Sequence, residues 1–69
     1  MDLEIIEGLL EDLNWQTNQA LDLVRTLGKG ELFGEPLPTD MKDNLEIQVK
    51  ARYAFIKDTL ANLATEITK

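Results

Sequence analysis

The 69-residue sequence contains no cysteine, histidine or serine, and its only aromatic residues are one Trp, one Tyr and two Phe. Without cysteine no disulfide forms, and without cysteine and histidine no thiolate or imidazole metal site is available. A nucleophile–base pair would have to use Thr, Tyr or Lys. These absences argue against the commonest nucleophilic enzymes and exclude zinc and haem sites built on thiolate or imidazole, and no cofactor is expected.

Basic and strongly apolar segments are also missing. The chain opens with Met1-Asp2-Leu3-Glu4, which is acidic where a secretory signal carries bases, and no apolar run reaches membrane-spanning length. Cysteine-free composition fits a reducing compartment. We therefore expect a cytoplasmic protein without a membrane partner.

Acids outnumber bases by 13 to 7, giving a formal net charge of −6. Through residue 27 the imbalance is greatest, because six acids there face the single base Arg25. Such a surface repels phosphate backbones, so no nucleic-acid partner is expected. A basic protein partner would instead be attracted to the acidic end of the chain.

Residues 2–27 are predicted to form the first helix. Asp2 is a suitable N-cap, and Gly28 stands where a left-handed glycine would end the helix. One apolar stripe recurs in steps of three and four, as in a heptad repeat. It consists of Leu3, Ile6, Leu10, Leu13, Thr17, Ala20, Val24 and Leu27.

Residues 28–39 form a connector that contains three of the four glycines and both prolines. It is longer than the ~2–8 residues usual between bundle helices, so it should either lie against the fold or move. Leu32, Phe33 and Leu37 could fold back as an apolar plug over the end of a helical bundle. Alternatively, the same three residues form a docking loop for another protein.

A second helix is predicted over residues 40–68, capped by Thr39 or Asp40. Small side chains along a flanking strip would let another helix approach closely. The main apolar stripe consists of Leu45, Val49, Tyr53, Ile56, Leu60, Leu63 and Ile67.

Two helices of this kind expose more apolar surface than one helix–helix contact covers. Ordering the chain costs on the order of 100 kcal/mol at ~1.5 kcal/mol per residue, which requires extensive apolar burial. The predicted fold is therefore all-α: a single-domain antiparallel two-helix hairpin that pairs with a second copy as a homodimeric four-helix bundle.

Helical carboxylates are the one feature that suggests catalysis. Glu4, Glu7 and Glu11 share a helical face, as do Asp43 and Glu46, and such pairs can hold Mg²⁺ inside a bundle. The histidines of a di-iron site are absent, and the three glutamates flank the apolar stripe as solvated residues do. A small metal-dependent hydrolase is therefore an alternative hypothesis rather than the preferred one.

The stretch Leu13–Leu21 (LNWQTNQAL) interrupts the first stripe with uncharged polar residues. In the heptad, Thr17 takes a core position with Asn14 and Gln16 beside it, which suggests a polar layer that fixes helix register. Trp15 falls on the far side of the helix from that stripe. Because a Trp has a large apolar area, we expect the second subunit, the connector or another protein to cover it. A partner-docking patch is the main alternative to the register layer, and a ligand site or a wet stretch of surface are the others.

The sequence thus favours a small acidic, non-enzymatic protein–protein interaction module, an adaptor or regulator. Its partners would be a second copy of itself and another protein. A purely structural assembly unit is the remaining alternative. The candidate partner-binding residues are Trp15, Leu32, Phe33, Leu37, Glu4, Glu7 and Glu11.

Overall fold

A computed structural model describes all residues from 1 to 69. Helix α1 spans Leu3–Lys29 and helix α2 spans Thr39–Ile67, with the short strands β1 (Glu31–Leu32) and β2 (Glu35–Pro36) between them. The two helices pack side by side in antiparallel directions. The protein is therefore an all-α helical hairpin, as predicted, with a small antiparallel strand pair at its closed end.

Helix α1 begins with a side-chain cap. Asp2 has extended backbone geometry, and its Oδ1 accepts hydrogen bonds from the backbone N–H of Glu4 at 3.0 Å and of Ile5 at 3.3 Å. These bonds satisfy two of the N–H groups that a helix start leaves unpaired, and the carboxylate lies at the positive end of the helix dipole. The predicted N-cap is confirmed.

The end of α1 differs from the prediction. Gly28 remains helical, and the left-handed C-cap is Gly30, with φ of 69°. The Gly30 N–H donates to the carbonyls of Thr26 and Leu27, and the Gly30 carbonyl accepts from the Leu37 N–H at 3.0 Å. That last bond closes the connector, which is why the second glycine rather than the first ends the helix.

The connector contains a tight β-hairpin where the composition suggested only a loop. Glu31 pairs with Pro36 and Leu32 with Glu35. The two turn residues, Phe33 and Gly34, both have positive φ, at 52° and 80°. Positive φ at both central residues is the geometry of a type I′ turn, which matches the twist of the flanking strands.

Helix α2 starts without a side-chain cap. Pro38 occupies the N-cap position with φ of −61°, and no side chain bonds to the first turn. Thr39 is already helical, so the prediction of a cap by Thr39 or Asp40 is wrong. Proline at the boundary presets the backbone at no hydrogen-bond cost, and Asp40 in the first turn complements the helix dipole.

The hairpin is one helix thick. Its extents are 48 × 18 × 12 Å, and its radius of gyration is 15.5 Å, compared with about 11 Å for a compact domain of this length. Ile6 and Leu37 are the only buried apolar side chains. The fold therefore has a seam between two helices in place of a closed core.

Candidate interaction surface

The seam between the helices follows a heptad repeat on each side. Its positions recur in steps of three and four, as in an antiparallel coiled coil. On α1 they are Ile6, Leu9, Leu13, Gln16, Ala20, Leu23, Leu27 and the capping Gly30. On α2 they are Leu45, Val49, Arg52, Ile56, Thr59, Leu63 and Glu66.

The most enclosed part of this seam is polar. Gln16 and Thr59 are only 8% and 6% exposed, and the Gln16 Nε2 donates to the Thr59 Oγ1 at 3.2 Å and to the Asp12 Oδ2 at 2.9 Å. The Gln16 Oε1 is buried with no hydrogen-bond partner. An unpaired buried acceptor costs roughly 1–3 kcal/mol, so this layer defines helix register more than it stabilises the pair.

About half of each predicted apolar stripe lies outside this seam. Leu10, Thr17 and Val24 are exposed, and the seam instead uses the preceding residues. In α2, Arg52, Thr59 and Glu66 take the positions expected for Tyr53, Leu60 and Ile67. Periodicity marks which residues are apolar, but it does not say which of two adjacent columns meets the neighbouring helix of the same chain.

The displaced apolar residues of both helices lie on one side of the hairpin. Leu10 and Thr17 each follow a seam position by one residue, which is about 100° around α1. Leu60 likewise follows the seam position Thr59. Because the helices are antiparallel, the residue that follows a seam position lies on the same side of the hairpin in both helices. This apolar face consists of Leu3, Leu10, Thr17 and Val24 of α1 and Tyr53, Leu60 and Ile67 of α2.

Nothing within the chain covers the apolar face. Its six large apolar side chains are between 47% and 69% exposed. Half-buried apolar seam residues such as Leu13 and Ile56 lie beside them. Large exposed apolar patches are typical of interaction sites, so this face is a candidate interaction surface.

The total exposed area supports the same conclusion. The accessible surface is 5267 Å², whereas a folded monomer of 7.8 kDa is expected to expose roughly 4,400 Å². The excess of roughly 900 Å² is close to the ~800 Å² that each partner contributes to a standard protein interface.

The predicted polar layer is only partly in the seam. Gln16 lies between the two helices of the hairpin, whereas Asn14 and Thr17 are exposed in it. The Thr17 hydroxyl donates to the backbone carbonyls of Leu13 and Asn14. With its hydroxyl satisfied locally, Thr17 can present its methyl group to a partner.

Trp15 lies on the opposite side of the hairpin. It is two residues from Thr17, about 160° around α1 from the apolar face. The ring is 55% exposed, and the Arg52 guanidinium carbon stands 5.6 Å from its centroid. Phe55 of α2 lies two residues from Tyr53, so it is on the same side of the hairpin as Trp15, and it is also exposed. This cation–π pair leaves much of the indole free for contact.

The loop residues separate into one anchor and one exposed tip. Leu37 is buried, whereas Phe33 is 96% exposed and Leu32 is exposed as well. A bulky residue at positive φ is strained, and strain of this kind clusters at functional sites. Phe33 therefore remains a candidate docking residue, and the burial of Leu37 indicates a structural role.

The carboxylates do not converge. Glu4, Glu7 and Glu11 are exposed, and no three Asp or Glu side chains lie close enough together to hold a metal ion. An open depression at the free end of the hairpin is lined by both ends of the chain, and there Lys69 pairs with Glu66 at 2.7 Å.

Comparison with protein-family models, with curated proteins and with solved structures found no match. Neither helix combines the length and the apolar character needed to cross a membrane.

Proposed function

We propose that the protein is a small cytoplasmic, non-enzymatic interaction module, an adaptor or regulator, that acts as a homodimeric four-helix bundle. The observation that carries this proposal is the apolar face, which lies one residue beyond the seam in successive heptads of both helices. A hairpin with two buried apolar side chains has little core of its own. A second copy packed on the apolar face supplies one.

The second half of the proposal concerns another protein. Trp15 and Phe55 lie away from the apolar face, so pairing of two copies leaves them accessible. Phe33 stands alone at the tip of the β-hairpin. Exposed aromatic residues are typical anchors of protein contacts, and the acidic start of α1, with Glu4, Glu7 and Glu11, favours a basic partner.

The mass of the protein in solution tests the homodimer. Sedimentation equilibrium over a range of concentrations should give about twice the 7.8 kDa of one chain. A well-folded monomer throughout that range would overturn the proposal. A mass that keeps rising with concentration would instead support the open-ended assembly unit.

Thermal unfolding with added divalent cations tests the alternative of a hydrolase. We expect Mg²⁺ and Mn²⁺ to leave the melting temperature of the purified protein unchanged relative to EDTA. A rise of several degrees would show that the native state binds the metal and would favour the metal-dependent enzyme.

A further inference from the structure

Charge is distributed unevenly along the hairpin. The Gln16–Thr59 hydrogen bond fixes which residues of α1 and α2 lie side by side, since moving forward along α1 means moving backward along α2. The free end combines residues 2–12 with residues 63–69. It carries six acidic side chains and one basic side chain, Lys69.

The middle of the hairpin has the opposite charge. Residues 16–25 of α1 lie beside residues 50–59 of α2. This block carries four basic and two acidic side chains. They are Arg25, Lys50, Arg52 and Lys57 against Asp22 and Asp58. An acidic end and a basic middle on one elongated molecule can complement each other between two copies.

We infer that the second copy docks on the apolar face head to tail, about a two-fold axis perpendicular to the helices that passes close to Asn14 and Leu60. This inference rests on the proposed homodimer. With this axis, the acidic end of each copy lies against the basic middle of the other. About this axis each α1 packs antiparallel on the α1 of the other copy, which sets Leu3 opposite Val24 of the partner subunit.

The same axis fits both halves of the apolar face. The exposed column from Leu3 to Val24 is centred near Asn14, and the column from Tyr53 to Ile67 is centred on Leu60. Residues near 14 and near 60 are level with each other in the hairpin, because Gln16 is bonded to Thr59. One two-fold axis therefore makes both columns self-complementary.

The alternative is a two-fold axis parallel to the helices, which would set α1 against α2 of the partner subunit. It would bring the two acidic ends together at one end of the bundle. Head-to-tail docking sets the centres of the two acidic ends, near residue 7, about 21 Å apart along the helices. That separation exceeds the Debye length of ~8 Å. Like-charge repulsion thus disfavours the parallel axis.

The head-to-tail dimer has a consequence for partner binding. Because the axis lies nearer the free end than the loop end, each β-hairpin extends past the other copy. The two Phe33 side chains then stand at opposite ends of the dimer, and the two Trp15 side chains on its two outer sides. Such an arrangement presents every docking residue twice and suits an adaptor that bridges two partner molecules.

Single cysteines test the position of the axis, because the natural chain has none. Asn14→Cys places a thiol beside the axis, and Asn18→Cys is the matched control about 40° further around the exposed side and one turn away. Disulfides need Cα atoms within about 7 Å. Under mild oxidation we expect Asn14→Cys to become a covalent dimer on non-reducing gels while Asn18→Cys stays mostly uncrosslinked.

The result that would overturn head-to-tail docking is a dimeric Asn14→Cys protein that fails to crosslink to itself but does crosslink to Ala64→Cys in a mixture. That pattern is expected for the parallel axis. A monomeric parent protein would instead overturn the homodimer itself, so the two failures are distinguishable. As a second readout, added NaCl should weaken the head-to-tail dimer and would strengthen the parallel one.

Discussion

The seam between the helices and the apolar face beside it are offset by one residue, yet their chemistry differs. Gln16 lies in the seam and Thr17 on the face, and Thr59 lies in the seam and Leu60 on the face. At its centre the seam contains an amide, a hydroxyl and an unpaired acceptor. Apart from Thr17, the face contains leucine, isoleucine, valine and tyrosine. The exposed face thus carries large apolar side chains that the chain's own partner helix does not cover.

This difference indicates a division of roles. Polar groups in a seam penalise misaligned pairings at some cost in stability, and they fix how α1 lies on α2. Apolar side chains on the outer face contribute little until another surface covers them. Under the proposed homodimer, such a hairpin would gain much of its stability from association.

The largest expected effect comes from breaking the apolar face. Leu60→Glu places a charge at the proposed interface and should weaken dimerisation by at least about 3 kcal/mol, roughly 100-fold in Kd. Sedimentation equilibrium measures this change. The matched control is Phe55→Glu, an equivalent substitution on the opposite side of the same helix, which should leave Kd nearly unchanged. Equal effects of the two substitutions would contradict the assignment of the face.

A double substitution in the seam should have the opposite sign. Gln16→Leu combined with Thr59→Val removes the buried unpaired acceptor without leaving the Thr59 hydroxyl unpaired, and we expect the pair of substitutions to raise the free energy of unfolding by about 1–2 kcal/mol. Thr17→Leu, one residue away, should stabilise only the dimer, so that its gain grows with protein concentration. Urea unfolding at two concentrations separates the two effects. A destabilised double variant would mean that the amide bonds outweigh the unpaired oxygen.

The end of the seam offers a smaller test. Gly30→Ala forces a side chain into a left-handed backbone and should cost about 1 kcal/mol. Gly28→Ala lies in regular helix, where alanine is favoured over glycine by about 1 kcal/mol. Neither new Cβ would meet a neighbouring atom, so the two changes isolate the backbone effect. Melting temperatures that shift in the same direction would disagree with the observed position of the C-cap.

The smallest expected effect is on the side opposite the apolar face. Arg52→Gln removes the cation–π contact with Trp15, which contributes about 0.5–1 kcal/mol at an exposed site. Lys42→Gln, which lies outside the basic middle and makes no cation–π contact, is the control. In the dimer of the unsubstituted protein, Trp15 fluorescence emission should be red-shifted and readily quenched by acrylamide. A blue-shifted, protected Trp15 would show that the second copy covers this side.

Local features were largely predictable from sequence. Asp2 as N-cap follows from a short side chain that accepts backbone N–H bonds, and the helical hairpin follows from apolar steps of three and four. The end of α1 was not predictable, since Gly28 and Gly30 suit a left-handed cap equally well. Only the bond between Gly30 and Leu37 distinguishes them. Positive φ at Phe33 was also unexpected, because the type I′ turn imposes it against the preference of the residue.

Local sequence specifies the two helices, the glycine- and proline-rich connector between them, and the acidic start of α1. These features depend on interactions within a few residues, which the order of side chains specifies directly. Which of two adjacent rows of apolar residues on each helix lies between the helices depends on their packing. Adjacent heptad columns are both compatible with the same apolar period, and the choice between them depends on how two helices some forty residues apart in sequence meet at Gln16 and Thr59.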